Sequence, residues 1–222
     1  MYVRDVELRL LTWNLFHGRA VPPAGRELFD AFADALAGWE WDVALLQEVP
    51  PWWPGPLAGQ CGADRRIVLT SRNALLPVRR FVAIRWPDAI KSNGGGCNAV
   101  LVRGAGVAEH GVKRLGWWPE RRWMHAVRLS SGVWVGNLHT EARETQARRA
   151  AETLRCWAGG SPAVLGGDFN LREPSLPGFL WAGGQGVDQV FITGGTATTK
   201  VLERGSLSDH APVLVRVVDL RS

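Results

Sequence analysis

The chain has 222 residues, of which 46% are hydrophobic and 21% are charged. This balance excludes an intrinsically disordered chain, and the length predicts a single domain over residues 1–222. The 26 basic residues outnumber the 21 acidic ones, and all but three of the basic residues are arginines. Because a planar guanidinium group suits phosphate, the net charge of +5 is compatible with an anionic partner, although a general preference for arginine codons explains it equally well.

The N-terminal segment MYVRDVELRLLTWNL carries four charges and contains no long apolar run. It matches neither a secretory signal nor a membrane span, so we expect a soluble, cytoplasmic protein without a transmembrane segment. The cysteines Cys61, Cys97 and Cys156 have no C-x-x-C spacing, which argues against a disulfide framework or a cysteine zinc site. The oligomeric state is left open.

Short β-rich runs recur along the chain and are separated by Gly and Pro. Two segments instead have apolar residues at helical spacing, one over residues 25–41 and one from residue 141 to a stop at Gly159. Each lies between two predicted strands, which predicts β-α-β crossovers and mixed sheets with helices outside. The predicted strands are 7–15, 42–48, 66–72, 78–86, 97–104, 123–130, 132–140, 162–170, 187–194, 198–204 and 212–220.

Several predicted strands end in a side chain that can bind a metal or titrate. Each such residue alone is more commonly a turn residue, a cap or a hydrogen-bonded core residue. Together they predict one pocket, because polar groups converge at strand ends in packed-sheet architectures. Oxygen ligands dominate the set, which favours Mg²⁺ or Mn²⁺ over zinc. The residues are Asn14, Glu48, His139, Asp168, Asn170, Asp188, Asp209 and His210.

The motifs TWN, LLQEV, NLHT, GGDFN, VDQVF and SDHAPV occur in this order between residues 12 and 213. Taken together, they resemble the endonuclease/exonuclease/phosphatase superfamily, whose fold is deoxyribonuclease I-like. The resemblance implies the α/β class and a four-layer α/β sandwich, in which two mixed β-sheets pack face to face with helices outside. It also implies metal-dependent hydrolysis of phosphate esters at one end of the sandwich.

Matching the motifs residue by residue, the resemblance implies that Glu48 is the principal metal ligand. Asn14 and Asp209 are then near the metal. Asp168 orients or deprotonates the attacking water, and Asn170 helps to hold the water or the phosphate. The metal is Mg²⁺ or Mn²⁺, which keeps water ligands and binds phosphate oxygens.

For the two histidines, the resemblance implies that His210 contacts the scissile phosphate and that His139 is the second active-site histidine. Successive residues of an extended chain point to opposite sides, so Asp209 and His210 need not pair with each other. We therefore predict that His210 takes its orienting partner from Asp188. Which histidine acts as the general acid is left open.

Two departures separate the chain from abasic-site endonucleases within this superfamily. Phe16 stands where those enzymes have an acidic residue, and Glu48 lacks the threonine and lysine that follow there. A second metal subsite at that position is therefore in doubt. His17, the next residue, is interpreted as a loop histidine in preference to a substitute ligand.

Two further sequence features bear on the substrate. The segment KSNGGGCNAVLVR makes Asn98 and Arg103 candidate substrate contacts, although a loop followed by a surface arginine explains it equally well. Five of the twelve tryptophans fall in PPWWPG and LGWWPERRW. Tryptophans mostly pack in cores, but such pairs can also stack on bases or insert into a lipid surface.

The leading functional hypothesis is a nuclease that hydrolyses phosphodiester bonds of DNA or RNA. The alternative keeps the chemistry and changes the substrate to a phospholipid, an inositol phosphate or another small phosphate ester. A non-catalytic binding module on the same scaffold is disfavoured, because a complete set of polar groups at a pocket more often serves a function.

Overall fold

The structure is a computed structural model and describes residues 7–70, 73–89 and 96–221. Within these residues, the helices are α1 Phe29–Gly38, α2 Pro54–Cys61, α3 Leu76–Arg85 and α4 Glu144–Ala158, with a 3₁₀ turn at Phe16–Gly18. The strands are β1 Leu8–Asn14, β2 Val43–Val49, β3 Ala63–Leu69, β4 Cys97–Arg103, β5 Val107–Gly116, β6 Arg122–Leu129, β7 Trp134–His139, β8 Ala163–Asp168, β9 Leu180–Gln185, β10 Asp188–Ile192, β11 Thr196–Val201 and β12 Val213–Val218.

The strands form two six-stranded mixed sheets. The first sheet has the order β11-β12-β1-β2-β4-β3, and the second has the order β5-β6-β7-β8-β10-β9. In each sheet one central pair is parallel, β1 with β2 and β7 with β8, and the other pairs are antiparallel. Helices α1 and α4 connect these parallel pairs, so the two predicted helices are the two β-α-β crossovers.

Alternation of side chains along the strands produces three apolar layers. The layer between the sheets takes residues such as Val43 and Val164 from both of them. Phe32 of α1 and Leu57 of α2 cover the outer face of the first sheet, and Leu154 of α4 covers that of the second. The predicted four-layer sandwich, with two mixed sheets face to face and helices outside, is therefore confirmed.

The layer between the sheets becomes polar toward one end of the sandwich. Along β1 the residues on this face pass from Leu10 to Thr12 and then to Asn14. Along β8 the same face passes from Val164 to Asp168. All five side chains are buried, so the polar groups at this end need protein partners or a ligand.

Four elements differ from the prediction. The segment 78–86 was predicted as a strand but lies in helix α3, which begins at Leu76 with Pro77 in its first turn. Proline is favoured there because its missing N–H has no helical partner, whereas the β-branched residues that follow resemble a strand. Strands β5 and β9 were not predicted, since both are exposed sheet edges without clear alternation. Helix α2 was also missed.

Two predicted features extend beyond the described residues. The strand predicted over 66–72 is observed as β3 and ends at Leu69, while residues 71 and 72 lie outside the described chain. Most of the predicted glycine-rich loop, residues 90–95, also lies outside it. Across the three described ranges, no helix combines the length and the apolar character needed to cross a membrane.

Candidate active site

Asp168 joins the two sheets at the polar end of the sandwich. It is the last residue of β8, and its Oδ2 accepts a hydrogen bond of 2.9 Å from Nδ2 of Asn14, the last residue of β1. Its Oδ1 accepts a 2.8 Å bond from the backbone N–H of Asn170. Burial raises the pKa of Asp168, while His210 and these two donors act in the opposite direction. Hydrogen bonds thus hold both oxygens of this carboxyl group in place.

His210 is held by Asp188. Asp188 begins β10 directly beside Asp168, and its Oδ2 lies 2.6 Å from His210 Nδ1. The other ring nitrogen, His210 Nε2, lies 4.0 Å from Asp168 Oδ2. Burial disfavours the charged imidazole, but Asp188, Asp168 and Asp209 outweigh it and raise the pKa of His210 to about 9. The ring is therefore cationic at neutral pH. Its contact with Asp188 is the one that the sequence predicted.

Glu48 is supported by a histidine that the sequence interpretation left out. It is the penultimate residue of β2, and its Oε2 lies 3.0 Å from His17 Nε2. Although burial acts to raise the pKa of Glu48, His17, His139 and Arg122 together hold it well below the usual range. Glu48 is thus a carboxylate throughout the neutral range. His17, interpreted from the sequence as a loop histidine, lies in the 3₁₀ turn Phe16–Gly18 and contacts this carboxylate.

His139 differs from His210 in its protonation state. It ends β7, and its Nε2 lies 2.9 Å from an Arg122 nitrogen and 3.5 Å from Asp168 Oδ2. Since a guanidinium group can only donate, Nε2 accepts and the ring carries its proton on Nδ1. Burial and the Arg122 charge lower the pKa of His139 to about 3. One histidine of the site is therefore neutral and the other is charged.

Arg122 is a member of the site that sequence reasoning missed. It begins β6, and besides His139 it contacts Glu120 at 3.1 Å. The segment WWPERR, which ends in Arg122, carries no pattern that distinguishes this arginine from its neighbours. The pairing of Trp123 with His139 across β6 and β7 brings it to the site, and this pairing depends on contacts between distant parts of the chain.

Backbone strain concentrates at this end of the molecule. Seven residues other than glycine have a positive φ in the described chain, and five of them lie in the segments that build the site. Such conformations are unfavourable for residues with a Cβ, and they cluster where function requires a particular side-chain direction. The five are Phe16 (47°), His17 (55°), Glu48 (50°), Asn170 (51°) and Ser208 (60°).

Ser208 connects the SDHAPV motif to the rest of the site. Its hydroxyl donates to Asn14 O at 2.6 Å and accepts from the backbone N–H of His210 at 3.0 Å. Asp209, in between, is exposed, and its Oδ1 lies 3.8 Å from His210 Nε2. His210 thus has a close partner in Asp188 at 2.6 Å and a more distant, exposed one in Asp209.

Asn98 and Arg103 lie at opposite ends of β4. Asn98 is fully buried in the first sheet, and neither polar atom of its side chain has a hydrogen-bond partner among the residues that the structure describes. Arg103 lies roughly 17 Å further along the strand, at about 3.3 Å per residue. Its guanidinium donates to Cys61 O at 2.9 Å and Trp39 O at 2.8 Å and stacks 3.7 Å from the Trp41 ring. The prediction that Arg103 contacts substrate is therefore wrong, since it binds carbonyls at the ends of α1 and α2.

A family model described as the endonuclease/exonuclease/phosphatase family matches residues 11–210. The chain belongs to this family. No curated protein matches the chain.

Solved structures share the fold of this endonuclease/exonuclease/phosphatase family member. One is the endonuclease/exonuclease/phosphatase from Beutenbergia cavernae DSM 12333, with a TM-score of 0.69 and 19% identity over 99% of this chain and 72% of that one. Another is the endonuclease/exonuclease/phosphatase from Bacteroides vulgatus, with a TM-score of 0.69 and 15% identity over 97% and 100% of the two chains. A third is truncated TDP2 from Caenorhabditis elegans, with a TM-score of 0.67 and 16% identity over 95% and 97%.

The donors at this end of the family member suit a divalent cation. In the described chain, ligand-type atoms of Asp168, Asp188 and His210 all lie within 4.8 Å of one another, and of these the two carboxylates are free to ligate while the His210 ring is protonated. Asp188 Oδ1 is buried and has no hydrogen-bond partner, so it retains a lone pair for a further ligand. Glu48 adds an ionised carboxylate beside this group, and its Oε1 lies 3.8 Å from His139 Nε2. The carboxylate oxygens of Glu48, Asp168 and Asp188 are the kind of donor that a hard cation prefers.

Proposed function

We propose that this chain is a Mg²⁺- or Mn²⁺-dependent phosphodiesterase and that it hydrolyses nucleic acid, DNA or RNA. One observation carries the proposal: His210, held by Asp188 at 2.6 Å, faces the buried carboxyl group of Asp168 across 4.0 Å. A proton acceptor and a proton donor thus lie within 4.0 Å of each other at the strand ends. Hydrolysis of a phosphate ester requires this pairing, because water must lose a proton while the leaving oxygen gains one.

In the proposed reaction, Asp168 accepts the proton of the attacking water as the new P–O bond forms. Burial raises the pKa of Asp168, and a raised pKa makes a carboxylate a stronger proton acceptor. Asn170 orients the water or the phosphate, since its backbone N–H fixes Asp168 Oδ1 and its side chain is anchored on Thr140 O at 2.8 Å. The carboxyl and amide groups therefore act as one rigid unit.

His210 supplies the positive charge and the proton on the opposite side. Asp188 holds Nδ1, which leaves Nε2–H directed toward the phosphate. As the second P–O bond breaks, Nε2 donates its proton to the leaving oxygen. His139 is neutral and accepts from Arg122, so we assign it, with Arg122, to binding a non-bridging oxygen. The difference in charge between the two histidines supports this assignment of the general acid.

We assign the metal to Glu48, with Asn14 and Asp209 beside it. Glu48 is ionised and lies at the edge of the pocket, whereas His210 is protonated and bonded to Asp188, which opposes ligation by its ring. When bound, the cation neutralises a non-bridging phosphate oxygen. Asn98 stays a candidate substrate contact, because its buried amide has both polar atoms unpartnered.

The second candidate substrate is a phospholipid, an inositol phosphate or another small phosphate ester. Trp117 and Trp118 are exposed in the turn before Arg122. Their apolar surface favours this second class over a substrate that binds only through its charge. They also suit base stacking in a nucleic acid, which is why a direct comparison of substrates is needed. Trp53, by contrast, is buried against Phe29 and Phe32 and takes no part in substrate binding.

The test is hydrolysis of supercoiled plasmid, single-stranded DNA, RNA, phospholipid vesicles and inositol phosphates, each with Mg²⁺, with Mn²⁺ and with chelator. We expect metal-dependent nicking or degradation of a nucleic acid that Glu48→Gln and His210→Gln abolish. Cleavage of a lipid or small ester alone would move the proposal to the second substrate class. Failure to hydrolyse any ester, or to bind Mn²⁺, would contradict the enzyme proposal and favour a binding module.

A further inference from the structure

Helix α3 presents an apolar stripe to solvent. Leu75, Val78, Phe81 and Ile84 recur at a spacing of three residues, and between 41% and 76% of each is exposed. A surface helix normally turns such a stripe toward the core. In α3 only Ala83 is buried, so most of the helix's apolar surface faces away from the protein. Large exposed apolar patches mark interaction sites.

The stripe lies beside the candidate active site. Leu76 and Phe81 of α3 line a cavity of about 610 Å³ together with Trp52, which lies four residues after Glu48. The segment after the helix is anchored to the loop that follows β1, because Asp88 accepts from the Gly25 N–H at 2.8 Å. Helix α3 therefore packs beside the segment that follows Glu48, and the segment after the helix is tied to the loop that follows β1.

The charged residues of helix α3 itself are all arginines. Residues 73–87 contain Arg79, Arg80 and Arg85 and no acidic residue. Trp86 follows the helix, half exposed, with the Arg85 guanidinium 5.4 Å from its ring centre. Apolar side chains next to arginines and a terminal tryptophan are typical of helices that lie in the interface of an anionic bilayer.

A second apolar element lies at the same end of the sandwich. Trp117 and Trp118, in the turn between β5 and β6, are 65% and 81% exposed, and Arg114 stacks 3.6 Å from the Trp117 ring. The pairing of Trp123 with His139 places this turn at the end that carries the site. An aromatic and cationic turn therefore lies at the end of the sandwich that carries the site.

We propose that α3 and the Trp117–Trp118 turn dock the site end of this protein onto an anionic phospholipid bilayer. Aliphatic residues make up most of the α3 stripe, whereas nucleic-acid surfaces rely on aromatic stacking and cations. A symmetric contact with a second copy would bring like-charged arginines together without a carboxylate from residues 73–87 to offset them. The inference goes beyond the proposed function, because docking does not depend on which ester is hydrolysed.

The experiment measures co-sedimentation of the full chain with vesicles of phosphatidylcholine, alone or mixed with phosphatidylglycerol. We expect binding to the mixed vesicles, weakened about tenfold by Phe81→Asp. In the double variant Arg80→Glu with Arg85→Glu, we expect a loss of about fivefold or more for each charge removed. Trp181→Asp is the matched control, because Trp181 is 64% exposed like Phe81 but lies on β9 opposite Phe191. This variant should bind the mixed vesicles as the wild type does.

Four results would overturn the proposal: no binding to mixed vesicles, equal binding to phosphatidylcholine alone, no effect of Phe81→Asp, or a dimer in solution that Phe81→Asp dissociates. Loss of oligonucleotide binding in Phe81→Asp, without vesicle binding by the wild type, would assign the surface to nucleic acid instead. Hydrolysis of soluble bis(p-nitrophenyl) phosphate is measured in parallel and should be unchanged by Phe81→Asp. If that hydrolysis is absent while vesicle binding holds, the proposed function fails and the docking surface stands.

Discussion

The side-chain Nδ2 of Asn137, in the second sheet, donates a hydrogen bond of 3.0 Å to the backbone carbonyl of Leu46 in the first. It also lies 2.9 Å from Ala99 O, and its Oδ1 accepts from Gln47 at 2.8 Å. The register between β2 and β4 shifts at this point, and Glu48 follows with a φ of 50°. Asn137 thus satisfies carbonyls at the irregularity that turns Glu48 into the site.

Asn137→Leu should lower both stability and turnover. The substitution keeps the branching of the side chain but leaves buried carbonyls without a donor, so we expect the free energy of unfolding to fall by about 2–4 kcal/mol. Because the irregularity that directs Glu48 relaxes, kcat should fall at least about tenfold under conditions where the variant is folded. Urea unfolding and hydrolysis of bis(p-nitrophenyl) phosphate measure the two effects.

Val135→Ala is the matched control for Asn137, since Val135 is buried in the same layer of the same strand. It should lose stability, by about 1–3 kcal/mol, through the cavity it leaves. Its kcat should be unchanged, because Val135 does not contact the irregularity near Glu48. If both variants lower kcat to the same extent, Asn137 acts only through stability.

Asp188→Asn should lower kcat by about a hundredfold with a smaller effect on KM. The amide keeps the contact with His210 Nδ1 but removes the main charge that raises the pKa of His210. A lower pKa means that the protonated acid is lost at a lower pH, so the basic limb of the pH–rate profile should move to lower pH. The profile is measured from kcat with Mn²⁺ present.

Asp209→Asn is the comparison for Asp188, because Asp209 is exposed and lies 3.8 Å from His210 Nε2. It should move the basic limb less than Asp188→Asn does, since solvent screens its charge. An equal displacement in the two variants, or none in Asp188→Asn, would contradict the assignment of His210 as the general acid.

Arg103→Met should lower stability without affecting turnover. The arginine donates to carbonyls at the ends of α1 and α2 and stacks on Trp41, so its loss should lower the free energy of unfolding by about 1–3 kcal/mol. The kcat and KM values should equal those of the wild type, because the residue is remote from the pocket. Arg216→Met, which breaks an exposed pair with Glu7, should change stability by at most about 1 kcal/mol.

The motifs predicted the fold and most of the site because their chemistry is local to strand ends. Asn14, Asp168 and Asp188 each stand at the end or start of a strand, so a motif gives both their identity and their place. Their roles, and the single domain over residues 1–222, stay predictions. Arg122 could not be found in this way, since only the register of β6 against β7 brings it to His139.

The errors also have physical causes. Arg103 and Asn98 share a seven-residue strand, and sequence alone does not say which end of that strand meets the site. Helix α3 was predicted as a strand because its apolar residues face solvent, so the usual pattern of a helix packed on a core is missing. The exposure of these apolar residues is also the basis on which we propose α3 as a docking surface.

His125 should make the protein less stable in mild acid. It is fully buried, and its ring nitrogens lie 3.3 Å from His110 Nε2 and 3.3 Å from Asn137 Nδ2, neither of which stabilises a positive charge. Burial lowers the pKa of His125 from 6.5 to about 3, so the unfolded chain binds more protons between these values. The free energy of unfolding should therefore fall as the pH drops below 6.5, with His125 contributing about 2 kcal/mol between pH 7 and pH 5. Urea unfolding at the two pH values should show a smaller difference in the free energy of unfolding for His125→Gln than for the wild type. Val127→Ala, in the same strand and layer, is the control and should keep the full difference. An unchanged difference in His125→Gln would refute the assignment.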